Sequence, residues 1–437
     1  MGTSGGDRLR RIEWIRGSAS GQYTSGVMAL MVQKYGGTSV GDPDRIKNVA
    51  ARIAATRRGG SDVIVVVSAM GQTTDELIAL AAQIAADPPK REMDMLLTAG
   101  ERISMALLAM ALHGEGIAAM SLTGSQAGIM TDASHGEAKI TDIRGTRVQQ
   151  GLDEGKVVIV AGFQGVDPES KEITTLGRGG SDATAVALAA AHSADACEIY
   201  TDVDGVYTAD PRLVPSARKL DEVSFEEMLE LSASGAGVLM ARSVEFGRRF
   251  NVPIHVRSSF HDGEGTWVKE ETMEQAIISG IAHDTSEAKV TVHGMPDQPG
   301  VAAALFEPLA NDGVNVDMIV QNVSSDGHTD ISFTVPKDHA ERALEVSNRV
   351  VAAMGAARAD VDRGIGKVSL VGAGMKSHPG VAAKVFRSLA DAGINVEMIS
   401  TSTIRVSCVV RADKVDAAVQ ALHDEFKPPM IFEEVGA

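Results

Sequence analysis

Thr174-Thr175-Leu176-Gly177-Arg178-Gly179-Gly180-Ser181-Asp182-Ala183-Thr184 joins a glycine-rich loop to an alanine-rich helix and sets one arginine inside the loop. Glycine lacks a Cβ, so backbone N–H groups there can approach an anion closely, and the start of a helix adds a partial positive charge. The planar guanidinium of Arg178 suits bidentate binding of a carboxylate or a phosphate. The stretch reads as an anion cradle, and the competing reading is a tight strand-to-helix turn with no ligand.

Outward from this loop the chain alternates. Leu30 to Tyr35 is a short apolar strand closed by Gly36-Gly37, and Pro43 to Thr56 carries Ile46, Val49, Ala50 and Ile53 at helical spacing. Asp62 to Ser68 is a continuous β-branched run, as in a strand covered on both faces. Further strands are predicted at Ala118 to Leu122, Val157 to Gly162 and Ala196 to Tyr200, with helices at Met93 to His113, Thr141 to Glu154 and Asp182 to Ser193. Such alternation implies an α/β fold with a largely parallel sheet between helical layers, and parallel sheets take ligands at the carboxyl ends of their strands. Lys34, Ser68 and Arg178 all fall there.

The last third of the chain contains a repeat. Pro299-Gly300-Val301-Ala302-Ala303 recurs as Pro379-Gly380-Val381-Ala382-Ala383, and the same offset aligns Phe306 with Phe386, Leu309 with Leu389, Gly313 with Gly393, and Asn315-Val316 with Asn395-Val396. A strand precedes each copy, at Lys289 to Gly294 and at Lys367 to Gly372. Strand, Pro-Gly helix start, helix, Gly stop and strand make a small ferredoxin-like α/β unit. A paired module follows rather than a solenoid, which needs more repeats. The strand-like Ile277 to Ala282 is a candidate to complete the second copy's sheet.

Composition narrows the function. A chain of 437 residues should hold two or three domains. Its 41 Lys+Arg against 58 Asp+Glu give a net charge of −17, which speaks against non-specific nucleic-acid binding. Cys197 and Cys408 stand far apart with no metal-ligand spacing around them, so they read as buried thiols of a reducing, cytoplasmic compartment and no protein-held metal is expected. No apolar run reaches the length expected of a membrane span. Residues 1–29, with Arg8, Arg10 and Arg11 before a Gly/Ser stretch, lack the apolar core of a signal peptide and read as a disordered extension, with Met28 or Met31 as alternative starts.

Several ordered motifs then coincide: Lys34-Tyr35-Gly36-Gly37-Thr38-Ser39, Ser68-Ala69-Met70-Gly71, Leu97-Thr98-Ala99-Gly100-Glu101-Arg102, the Gly177 to Asp182 loop, Thr201-Asp202-Val203-Asp204-Gly205-Val206-Tyr207-Thr208-Ala209-Asp210-Pro211-Arg212, and the two repeats. Together they resemble the aspartate kinase family from about Met31 to the C-terminus, most closely its single-function actinobacterial members. The resemblance implies an amino-acid-kinase, carbamate-kinase-like αβα sandwich over 30–272. A first ACT domain with its preceding strand would follow over 273–362, and a second ACT domain over 363–437.

The chemistry so implied moves the γ-phosphoryl group of ATP, with Mg²⁺, to the β-carboxylate of L-aspartate. The product is 4-phospho-L-aspartate, the first step towards lysine, threonine and methionine. A carboxylate is already ionised at pH 7, so the protein must chiefly align two anions and offset the charge of the transferring group. By resemblance Lys34 does the latter, Asp182 orients it, Glu101 takes the substrate ammonium and Arg178 its α-carboxylate. Ser68 and Thr74 add hydroxyls beside Gly179, Gly180 and Ser181. Without the family, Glu101 reads as an exposed helical carboxylate. The nucleotide falls to Lys34, Tyr35, Gly36, Gly37, Thr201, Asp202, Tyr207, Asp210, Pro211 and Arg212. One departure stands out: family members usually carry a lysine in the segment matching Gly235-Ala236-Gly237-Val238-Leu239, and here that position is Gly237.

The repeats imply regulation. Helix starts at Gly300-Val301-Ala302 and Gly380-Val381 offer N–H groups to an effector's carboxylate, with Asp297, Asn315, Asp317, Gln321, Asn395 and Glu397 as further contacts. Gln321 and Asn322-Val323-Ser324 are expected to form part of the inhibitor site. By analogy the effectors are threonine and lysine, acting through a homo-oligomer or a long-plus-short subunit assembly paired at the ACT domains. Met273 lies near where a separate short subunit would begin. The rival readings are a kinase of the same fold acting on glutamate, N-acetylglutamate or a nucleoside monophosphate, and an amino-acid sensor without turnover.

Overall fold

The computed structural model describes residues 29–270, 277–322, 327–378 and 380–429. Residues 1–28 of the expected extension, Met273, Val323-Ser324 and Pro379 lie outside the described residues.

The first domain is built on an eight-stranded sheet in the order Glu222–Ser224, Thr266–Lys269, Ile254–Ser258, Ala196–Thr201, Leu30–Tyr35, Asp62–Val67, Val157–Ala161 and Ala119–Leu122. Every neighbouring pair is parallel except Ile254–Ser258 with Thr266–Lys269. The β-branched runs at Asp62–Val67 and Val157–Ala161 lie side by side as interior strands and are buried almost throughout. From Leu30–Tyr35 the chain first builds outward on one side through Asp62–Val67, then returns to the other side at Ala196–Thr201. That reversal makes the carboxyl ends of these strands the switch point where an open α/β sheet receives ligands.

Helices cover both faces. Pro43–Arg58 starts with Asp42 capping the Arg45 N–H and buries Ile46, Val49, Ala50 and Ile53 against one face, beside Lys90–Gly114. On the other face Gly180–Ala191 buries its residues from Gly180 to Ala189, which its small side chains permit. The 25-residue helix Lys90–Gly114 is long and apolar enough to cross a membrane by length and composition alone. It packs against the sheet instead, with Leu108 and Leu112 in the core and the charged Asp94 and Glu101 also buried.

A second, four-stranded sheet runs Ile140–Ile143, Ile129–Thr131, Gln164–Val166, Ile173–Thr175. It corrects the expected helix Thr141 to Glu154, which forms only over Thr146–Asp153. Gly145, at φ +53°, turns the chain out of the strand Ile140–Ile143 before the helix begins.

Two ferredoxin-like modules follow. The first has strands in the order Ile319–Gln321, His328–Pro336, Glu287–Pro296, Arg358–Asp362 with helices Val301–Asn311 and Ala340–Met354. The second has Gly280–Asp284, Ile365–Val371, Arg405–Arg411, Met398–Thr401 with helices Val381–Asp391 and Val415–Phe426. Gly280–Asp284 precedes the first module in the chain yet pairs antiparallel with Ile365–Val371 of the second. The boundary that assigns this strand to the first module is thus corrected: the first module is an insertion within the second. Both Pro-Gly helix starts need glycine for backbone reasons, because Gly300 and Gly380 sit at φ +95° and +103° although a Cβ there would meet nothing.

Candidate active site

Lys34 lies near the carboxyl end of the central strand, in register with Val66 and Ile199 of its neighbours. Its Nζ stands 2.6 Å from Asp182 Oδ1, and both side chains are largely buried. Asp182 is in the first turn of Gly180–Ala191, where its backbone N–H bonds Gly179 O. Gly179 has φ +69°, and a Cβ on it would lie within 1.8 Å of Met240. The loop is therefore held to glycine by conformation and by crowding together.

The second wall follows from two close approaches. A Cβ on Gly37 would come within 2.9 Å of Ala69 O, so the loop after the first strand lies directly on the Ser68–Gly71 loop, and Gly71 N–H bonds Gly37 O. Ser68 N–H in turn bonds Tyr35 O, and Gly36 N–H bonds Tyr200 O. Gly100 lets the Lys90–Gly114 helix touch Ala69, with 2.6 Å between a would-be Cβ and that methyl. One residue on, Glu101 is only 3% exposed. Its Oε1 accepts from Ala69 N–H at 3.1 Å, and its Oε2 is buried without a partner among the described residues. Burial pushes its carboxyl up to about 7, only partly countered by backbone hydrogen bonds. Read by itself the sequence makes Glu101 an exposed carboxylate; burial beneath the Ser68 loop overturns that reading.

Lys34, Asp182, Gly36, Gly37, Ser68 and Glu101 thus form one connected set. Ser181 is buried beside Gly162, and Thr74 is half-buried in the first turn of Thr73–Ile84. Arg178 is exposed on the glycine loop, and among the described residues it makes no hydrogen bond or ion pair. That leaves its whole donor fork free for a ligand.

The nucleotide candidates from Thr201 to Arg212 pair mainly with one another. Thr201 ends the strand next to that of Lys34 and donates to Asp202 at 3.2 Å. Tyr207 OH reaches Asp204 at 3.5 Å. Arg212 lies 2.6 Å from Asp210, and its hydrogen bonds hold that carboxyl below its ordinary range. Arg212, read as a phosphate cation, is thus paired with its neighbour while remaining well exposed beside Pro211. Gly237 is exposed in open space, with nothing within 4 Å of a would-be Cβ.

The candidate regulatory residues divide. Asn315, Gln321, Asn395, Ala302 and Gly380 are exposed, Val381 is half-buried, Val301 is buried, and Asp297 N–H bonds Gly327 O. Asp317 and Glu397 already hold cations. Asp317 lies 2.6 Å from Lys367, which is buried and also meets Glu287, while Glu397 pairs with Lys289 and Arg411. Lys289-Val290-Thr291-Val292 matches Lys367-Val368-Ser369-Leu370 in the repeat, so each module's lysine reaches across to the other's acid.

Sequence reasoning missed Asp94. It is fully buried and accepts from Thr175 Oγ1 at 2.5 Å and from Gly136 N–H, and it bonds the His135 ring, so it ties down the strand that leads into the glycine loop. Its signal was available: Asp94 and Glu101 lie two turns apart on one face of an otherwise apolar helix. Arg242 was missed too; its guanidinium bonds Leu176 O and Ala138 O behind the same loop.

A switch-point site with a lysine–carboxylate pair, joined to twin ferredoxin-like modules, defines an amino-acid kinase with a regulatory pair. The model of the amino acid kinase family matches residues 29–258, and that of the ACT domain matches residues 290–351 and 368–426. Among curated relatives, the aspartokinase of Mycolicibacterium smegmatis is 59% identical over 405 residues, covering 91% of this chain and 96% of that protein. The aspartokinase of Corynebacterium glutamicum is 57% identical over 406 residues, covering 92% and 96%. Escherichia coli aspartokinase III in complex with aspartate and ADP, an R-state structure, superposes with a TM-score of 0.80 at 26% identity, covering 91% of this chain and 100% of that one. The chain belongs to the aspartokinase family.

Proposed function

We propose that the site transfers the γ-phosphoryl group of ATP to the β-carboxylate of L-aspartate, giving 4-phospho-L-aspartate, and that the ACT pair regulates this step by feedback. The observation that carries the reading is the Lys34–Asp182 pair at the sheet's switch point, walled by the Ser68 loop over a buried, half-satisfied Glu101. The nucleophile needs no base, so the residues act by position and charge. Lys34 offsets charge on the transferring group, Asp182 fixes its ammonium, and the glycine backbone at Gly36 and Gly37 leaves room for phosphate oxygens. Glu101 receives the substrate ammonium, which supplies the partner its buried oxygen lacks. Arg178 grips the α-carboxylate, and Ser68 and Thr74 complete the aspartate side. Thr201, Asp202 and the turn Tyr207–Arg212 take the nucleotide.

Among the described residues no three His, Cys, Asp or Glu side chains cluster to cage a metal. A Mg²⁺ bound to the phosphates would add charge neutralisation there. Both cysteines are free and buried, as suits a reducing cytoplasm.

Threonine and lysine are the proposed effectors, acting on chains paired through the ACT modules. Ile319 and Ile399 support that pairing: they occupy matching positions in edge strands of the two modules and are 53% and 46% exposed. An ATP- and Mg²⁺-dependent hydroxamate assay with aspartate against glutamate, repeated with threonine and lysine, tests the whole reading. Product from aspartate alone, lowered by the effectors, is expected; product from glutamate but not aspartate would overturn it.

A further inference from the structure

The turn Tyr207–Arg212 does not stand on the catalytic domain alone. Thr208 at its centre is fully buried and is bonded on three sides. Its carbonyl accepts from Ile281 N–H at 2.8 Å, in the strand that belongs to the second ACT sheet. Its Oγ1 accepts from Arg218 N–H at 2.9 Å and lies 3.1 Å from Nε2 of His423, on the last helix of the same module. Oγ1 keeps a second lone pair and its proton after accepting from Arg218, so it can pair with His423 Nε2 in either tautomer of the ring, while Nδ1 is buried without a partner among the described residues. Burial holds this imidazole below its ordinary pKa, consistent with a neutral ring. Arg218 then closes the arrangement by donating to Lys427 O and Pro428 O just past that helix. The packing agrees, since Ala209 and Val214 share one apolar core with Ile278, Ile281, Leu422 and Phe426.

We propose that the second ACT module is a structural part of the nucleotide site: His423 and the Gly280–Asp284 strand hold Thr208 and so fix the turn that receives ATP. His423 and Thr208 are positioning residues, acting on ATP through Asp210 to Arg212. The inference rests on the assignment of this turn to the nucleotide. It supplies a short physical route by which a change in the module's core reaches one substrate and not the other.

The test compares His423→Ala, His423→Gln, Thr208→Val and Thr208→Ser with Asp210→Asn in the full-length enzyme, measuring KM for ATP and aspartate, kcat and thermal melting. His423→Ala and Thr208→Val should each raise the ATP KM about five- to tenfold, with the aspartate KM within about twofold. His423→Gln, which keeps a side-chain hydrogen-bonding group, and Thr208→Ser, which keeps the hydroxyl, should recover most of the ATP affinity. If Asp210→Asn raises the ATP KM and His423→Ala does not, the turn binds ATP but the module does not position it, and the inference fails alone. If neither affects ATP, the nucleotide assignment falls and takes the inference with it. Equal loss of both substrates together with a lowered melting temperature in all four variants would also overturn it, since a purely structural role behaves that way.

Discussion

The two halves of the active site are supported differently. The half proposed to hold aspartate is enclosed within one domain: the Ser68 loop, Glu101 and the glycine loop are braced by the helix Lys90–Gly114 and by Asp94 and Arg242, all from the catalytic fold. The half proposed to hold the nucleotide is shared, because Thr208 in the turn Tyr207–Arg212 is bonded to the second ACT module. A site so divided would let chemistry and substrate choice stay fixed while nucleotide affinity is adjusted. Variants that separate the halves test the division.

The largest effect should come where the halves meet. Lys34 is proposed to serve the transferring group itself, so Lys34→Ala should lower kcat by about 100- to 1,000-fold with both KM values changed far less. Asp182→Asn should give a smaller loss of the same kind. A mainly KM effect on one substrate would move Lys34 out of the centre and into one half.

Next comes Arg178, the free guanidinium of the glycine loop. Losing a charge-assisted bidentate contact costs about 2–3 kcal/mol, so Arg178→Ala should raise the aspartate KM by about 30- to 150-fold and leave the ATP KM nearly unchanged. Steady-state kinetics with each substrate varied decide it, and equal effects on both would break the comparison.

A milder effect is expected from Glu101. Its carboxyl, pushed up to about 7, is protonated below that pH, whereas binding an ammonium requires it ionised. Aspartate binding should therefore release a proton and tighten as pH rises to about 7, then level off; Glu101→Gln should weaken binding and flatten the profile. In the free enzyme the sign reverses. The unfolded chain ionises this group near 4.5, so its contribution to stability is present below that pH and lost as pH rises towards 7, and added aspartate should offset the loss in a melting experiment.

The contrast between halves also explains what the sequence disclosed. Lys34, the double glycine and the glycine loop were legible because they are local: a strand end, a turn and a helix start each leave a compositional mark within a few residues. The Ile277 to Ala282 segment was legible as a strand, but its partner lies across an inserted module, and neighbours in a sheet are not neighbours in sequence. His423 lies 215 residues from Thr208, and a single histidine on an apolar helix carries no sign of what it touches. Asp317 and Glu397 were read as open to an effector because the lysines that reach them come from the other module. Local chemistry was readable, whereas long-range clamps became visible only in the fold.

The smallest effect concerns Gly237, where the resemblance leads one to expect a lysine on the nucleotide side. The space around it is open and its backbone does not require glycine, so a long side chain can be added without repacking. An exposed cation facing polyphosphate in high dielectric should contribute only about 0.5–1 kcal/mol, screened further by salt. Gly237→Lys is therefore expected to lower the ATP KM by about two- to fivefold at low ionic strength, to lose most of that gain at high salt, and to leave the aspartate KM unchanged. A salt-independent gain would mean that the new chain acts by packing rather than charge. A change in aspartate affinity would mean that the two halves are less separate than their supports indicate.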